Sequence, residues 1–76
     1  MLELSAKWAQ YLTAQAESGM GYHVVTVQLA SGARYKQAVV IDGNLTRIRG
    51  FDAIPFAEPE IVNLEVTHDT WDWQTE

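Results

Sequence analysis

The sequence predicts an α+β domain: an N-terminal amphipathic helix packed on a curved antiparallel meander of four to five strands, small-barrel-like in outline. Two patterns carry that expectation. Apolar residues alternate with period two over Tyr22 to Ala30, Ala33 to Ile41 and Leu45 to Arg49, with Ser31-Gly32 and Asp42-Gly43-Asn44 as the interruptions. Such alternation puts successive side chains on opposite faces of a strand, and glycine-bearing breaks this short are hairpin turns. Ahead of them, Leu4, Trp8, Tyr11, Leu12 and Gln15 recur at helical spacing, the stripe of a helix that buries one face.

Each element follows from its residues. The helix spans about 3–18, helped by alanines at 6, 9, 14 and 16, with Gly19 and Gly21 available as a left-handed C-cap. The first long strand, about 22–30, divides into a face of His23, Val25, Val27 and Leu29 and a face of Tyr22, Val24, Thr26 and Gln28. The next, about 33–42, offers Tyr35, Val39 and Ile41 on one side and Arg34, Lys36, Ala38 and Val40 on the other. A two-residue Ser31-Gly32 loop would mix Val25, Val27 and Leu29 with Arg34 and Lys36, so a three-residue loop with a glycine bulge is expected. Either tight register of the Asp42-Gly43-Asn44 turn sets Lys36, Ala38, Val40, Arg47 and Arg49 on one face of strands 33–42 and 45–50. Val39, Ile41, Thr46 and Ile48 then take the other. A short extended piece, 53–56, lies at an edge or ends there because Pro55 cannot donate to a ladder. Ala57 to Ile61 suits a single helical or 3₁₀ turn, and a last strand runs over about 62–68. An aromatic, acidic tail occupies 69–76 and holds Trp71 and Trp73.

Seventy-six residues make one domain with a marginal core. Cysteine is absent, so no disulfide staples the chain, and no Cys–His pattern offers a structural metal. A small core without staples gains from oligomerisation. Met1-Leu2-Glu3-Leu4 has neither the basic stretch nor the long apolar stretch of a signal peptide. The longest strongly apolar runs, such as Val39-Val40-Ile41, are far too short to span a membrane. A cytoplasmic location is expected, the lack of cysteine fitting a reducing compartment.

Net charge is −5, which disfavours polyanion binding. The charge is unevenly spread. Residues 1–21 carry −1, residues 22–50 carry +3, and residues 51–76 carry seven acids with no lysine or arginine, −7, for the total of −5. Arg34, Lys36, Arg47 and Arg49 therefore form a basic sheet face that precedes an acidic tail. Such a face is solvated, or pairs with the acidic tail of its own or another subunit, or receives an acidic protein or a nucleic acid.

The order helix, strand, Ser-Gly turn, strand, Asp-containing turn, strand, short extended piece and final strand resembles the Sm-like small barrel. The likeness rests on Val25-Thr-Val-Gln-Leu-Ala-Ser-Gly32, Asp42, Ile54-Pro55-Phe56, Ile61 and Leu64-Glu-Val66, and covers about residues 4–67 as a pattern. It implies a helix with five bent strands, ring assembly and RNA binding. The chain departs from the family twice. Ala57-Glu58-Pro59-Glu60 stands where the family's Lys-His RNA motif would be, and Gln37-Ala38 lies where a glycine would bend the second strand.

No pattern of catalysis accompanies the fold. No nucleophile elbow or phosphate-cradling glycine loop occurs. His23, His68, Asp69 and Asp72 have no spacing that converges them on a metal, and sequence neighbours on a strand point apart. The expected function is a non-catalytic, cofactor-free interaction or structural module, self-associating as a homodimer or small ring or bound to another protein. Trp71, Trp73, Arg34, Lys36, Arg47 and Arg49 are its candidate contact residues. Trp71 either folds back to cap the domain or anchors a partner, since tryptophan is enriched at interface hot spots. The alternative is an Sm-like RNA binder using Lys36, Arg47 and Arg49.

Overall fold

A computed structural model describes residues 1–67 and Trp71. One helix, α1 (Ala6–Thr13), packs on a curled five-stranded antiparallel sheet built from β1 (Leu2–Glu3), β2 (His23–Leu29), β3 (Arg34–Ile41), β4 (Asn44–Ile48) and β5 (Ile61–Val66). A 3₁₀ turn, Glu58–Glu60, leads into β5. The strand order is β1-β4-β3-β2-β5, so the central strands are consecutive and the chain's two ends supply the edges.

The inner face of the sheet holds the main core. Val25, Val27 and Leu29 of β2, Ala38 and Val40 of β3, Leu45 and Ile48 of β4, and Ile61 and Leu64 of β5 close against Leu4, Trp8 and Leu12. The helical stripe thus covers the sheet as its spacing requires. Tyr11 is the exception: it remains 39% exposed and meets Trp8 edge-on, ring centroids 6.2 Å apart.

The helix is shorter than its pattern. It begins after Leu2–Glu3, which pairs with β4 through Leu2↔Leu45 and Glu3↔Asn44. It ends at Thr13, although residues 14–17 favour helix. Gln15 N–H turns back to Leu12 O, Gln15 O meets His23 Nε2 at 3.1 Å, and Ser18 is drawn to the sheet. The Ser18 hydroxyl donates to Thr67 O and accepts from Val24 N–H, at 2.8 and 2.9 Å. These bonds outweigh a few tenths of a kcal/mol of propensity per residue. Gly19 and Gly21 consequently serve a turn bridging Gly19 and Tyr22, not a helix cap.

Both hairpins have glycine geometry. In the first, Gly32 N–H bonds Leu29 O, Gly32 lies at φ +95°, and Leu29 N–H bonds Ala33 O. The Ala30-Ser31-Gly32 loop is a turn followed by a glycine bulge, which sets β2 and β3 in the phase that separates core from charge. In the second, Asp42 and Gly43 both have positive φ, and Ile41 pairs with Asn44, the mark of a two-residue type I′ turn.

The expected faces of β3 and β4 need correction. Gln37, at φ 58°, bulges between the pairs Val25↔Ala38 and Val27↔Tyr35. This extra residue reverses the alternation, so Tyr35 joins Ala38 and Val40 toward the core. A second irregularity, between Val39↔Arg47 and Val40↔Leu45, makes Thr46 the extra residue. Ile48 therefore faces the core with Ala38 and Val40, while Arg47 shares the face of Val39. Residues 53–56 are not a strand. Phe56 is buried in the core and Ile54 packs against it, as side-chain plugs with no ladder.

Candidate interaction surfaces

The outer face of the sheet is divided between an apolar and a polar half. Directly opposed strand residues share a face. The pairs Val24↔Val39 and Val39↔Arg47 define the apolar half, and Gln28↔Arg34, Thr26↔Glu65 and Gln28↔Asn63 define the polar half. The four cations expected on one face are indeed brought to the outer side, but beside Val39 and not beside Ala38 and Val40. The two bulges change the apolar partners while keeping the cations together.

Trp71 lies on the apolar half. It forms a second small core with Tyr22, Val24 and Val39, with Ile41 packed alongside, and is only 4% exposed. Its backbone N–H donates to Tyr22 Oη at 3.0 Å, and the Arg49 guanidinium sits 4.2 Å from its ring centroid. That distance is a close cation–π contact. Trp71 is thus packed on its own domain. Trp73, His68, Asp69 and Asp72 lie outside the described residues. Arg49 is held from below, since its N–H bonds the carbonyl of the bulged Gln37 at 3.0 Å.

The polar half forms a cavity of about 280 Å³ lined by Thr26, Arg34, Lys36, Gln37, Glu65 and Thr67. Thr26 is 6% exposed and makes its floor. Two cations, two hydroxyls and an amide against one carboxylate favour an anionic group. A second cavity, about 390 Å³, lies between α1 and the ends of β2 and β3, and includes His23, Glu17, Asp42 and Gln15. No three His, Cys, Asp or Glu residues converge on a metal-sized site among the described residues.

The edge of the sheet at β5 is a third surface. Thr67 N–H bonds Val24 O at 2.9 Å. With alternating ladder geometry, Glu65 and Asn63 also face β2, so the N–H and C=O groups of Leu64 and Val66 point away from it. The register shift between Gln28 and Leu29 leaves Val62 as the extra residue, 50% exposed. At the opposite edge, β1 is two residues long and offers little to a pairing strand.

This chain matches no known family model, no curated protein and no solved structure. No helix among the described residues is long and apolar enough to cross a membrane.

Sequence reasoning found the outer-face cations and the tryptophan. It missed Ser18, the hydroxyl that ties the helix exit to β2 and the end of β5. A serine between Glu17 and Gly19 carries no pattern that distinguishes it from a loop residue. It missed the exposed Val62 for a similar reason: the bulge that turns it outward has no sequence mark.

Proposed function

We propose that this chain is a small non-catalytic interaction module that associates with itself through the edge of β5. The observation that supports this reading is the ladder side of a six-residue strand, Ile61–Val66, that no described residue covers and that carries a half-exposed valine. Natural edges are blunted by prolines, charges, bulges or very short strands. β1 uses the last device; β5 is six residues long with no proline inside its span, and carries only the charge of Glu65 and the bulge at Val62. A second copy can add to such an edge by strand pairing. The reading includes a cytoplasmic location, consistent with a chain that lacks cysteine.

Native mass spectrometry and light scattering test it. The wild-type chain is expected to run as a dimer or small ring and Val62→Lys as a monomer with an unchanged circular dichroism spectrum. A wild-type monomer at its highest attainable concentration overturns the reading, as does a Val62→Lys chain that assembles like wild type.

The shared outer-face position of Arg34, Lys36, Arg47 and Arg49 favours one second reading, an Sm-like RNA binder. The helix and five-stranded curled sheet fit that resemblance. It requires binding to single-stranded RNA at about 50 mM salt that weakens steeply as salt rises. No fluorescence anisotropy change on adding the protein to labelled RNA under those conditions would exclude it.

A further inference from the structure

We propose that the outer face is a docking site for an acidic peptide that carries a tryptophan with a carboxylate within about two positions of it, and that Trp71 occupies the site in cis. The inference rests on the reading of the chain as an interaction module but concerns a surface other than the β5 edge. The aromatic half of the site is defined by its occupant. An indole lies on Tyr22, Val24 and Val39, with its backbone N–H on Tyr22 Oη and its ring under Arg49. The ionic half begins two residues farther along β2, where Thr26 replaces Val24 on the same face and the cavity of Arg34 and Lys36 opens. Two residues of strand span about 7 Å. An extended peptide whose tryptophan sits at Trp71's position thus brings a carboxylate one or two residues away within reach of the cavity.

Charge complementarity selects the partner. The outer face gathers four cations, and Arg34 and Lys36 form no ion pair with a described residue. The chain's own last nine residues, 68–76, follow the same chemistry. They hold Trp71 with Asp69 two positions before it and Asp72 one after, and contain no lysine or arginine. A covalently attached segment competes at an effective concentration in the millimolar range. A partner peptide must therefore displace Trp71, which makes this residue a competitive occupant.

The test uses the full chain and a fluorescein-labelled peptide of residues 68–76. Trp71→Ala is expected to bind the peptide at least about tenfold more tightly than wild type does, because the tethered competitor is gone. Adding Arg34→Glu and Lys36→Glu is expected to weaken that binding by about tenfold or more. Replacing both peptide tryptophans with alanine is expected to abolish it. Should Trp71→Ala lose its fold, the wild-type chain labelled with 5-fluorotryptophan gives the same answer. The Trp71 ¹⁹F resonance, assigned with Trp71→Phe, is expected to move to the solvent-exposed position as unlabelled peptide is added. A folded Trp71→Ala chain that ignores the peptide, equal affinity for the alanine-substituted peptide, or a Trp71 resonance unmoved at saturation overturns the proposal. A chain that assembles through β5 yet fails these tests loses this inference alone.

Discussion

Replacing Gly19 by alanine tests the outer-face core at a position remote from it in sequence. A Cβ on Gly19 would fall on the Tyr22 ring, against Cζ, Cε1 and the hydroxyl oxygen. The contact is too close to absorb, and two relaxations are open. The ring can swing away, which exposes part of a side chain now 9% exposed and removes the Tyr22 Oη acceptor from Trp71 N–H. Alternatively the turn can shift, which strains the Ser18 bonds to Val24, Thr67 and Tyr22. Overpacking of this kind costs about 1–3 kcal/mol, and a buried amide left without its acceptor costs about 1–3 kcal/mol where the ring leaves. We expect about 2 kcal/mol in all, a drop in urea midpoint of about 1–2 M at the slope typical of a small domain. Gly21→Ala is the control. Gly21 has φ +84° and open space around it, so alanine there meets only the left-handed backbone cost of about 1–2 kcal/mol and leaves the Trp71 environment intact. Urea denaturation followed by far-UV circular dichroism measures stability, and near-UV circular dichroism reports the aromatic packing. A Gly19→Ala chain with wild-type midpoint and near-UV spectrum would refute the packing of Tyr22 across Gly19.

Two further outcomes follow from particular contacts. Asp42→Val puts a β-branched residue at φ 51° in the type I′ turn and is expected to lower stability by about 1–2 kcal/mol; an unchanged denaturation midpoint would contradict that turn assignment. Arg49→Ala removes the cation from the Trp71 ring and is expected to cost about 0.5–2 kcal/mol and to shift tryptophan fluorescence, with Arg49→Lys recovering part of both.

The legible part of this fold is the part governed by simple periods. Val25, Val27 and Leu29 lie on the core side with Leu4, Trp8 and Leu12 above them, as period two and period 3.6 require. The Ser31-Gly32 break also carried its bulge openly, because charge and core would otherwise have collided. Gln37 was not legible. Glutamine has no special tolerance for positive φ, so nothing in Lys36-Gln37-Ala38 signals the bulge that parts Tyr35 from Val39 and Ile41, and nothing around Thr46 signals the second bulge, which exchanges the faces of Arg47 and Ile48. The helix end at Thr13 was hidden for another reason. Local propensity favours continuation, and the bonds that stop it come from His23, Val24 and Thr67, distant in the sequence. Residues 53–56 read as a strand because buried Phe56 and Ile54 alternate around Pro55, but two side chains can plug a core without a ladder. For the candidate surfaces, residue identity was readable and neighbourhood was not. Arg49 and Trp71 are 22 positions apart in the sequence, and only the folded sheet brings them together.

The strand order also divides folding into two kinetic halves. β2, β3 and β4 join through a three-residue and a two-residue loop, closures that are entropically cheap and fast. Both edges are nonlocal: β1 meets β4 across Leu2 and Leu45, and β5 meets β2 across Val25 and Val66. Neither edge has a template until the meander exists. If β5 docks after the rate-limiting step, changes there would leave the folding rate nearly untouched and act on the rate of unfolding. As an edge strand joined only to β2, β5 would close after the meander and open before it. Assembly through it would lengthen the lifetime of the folded chain without hastening its birth.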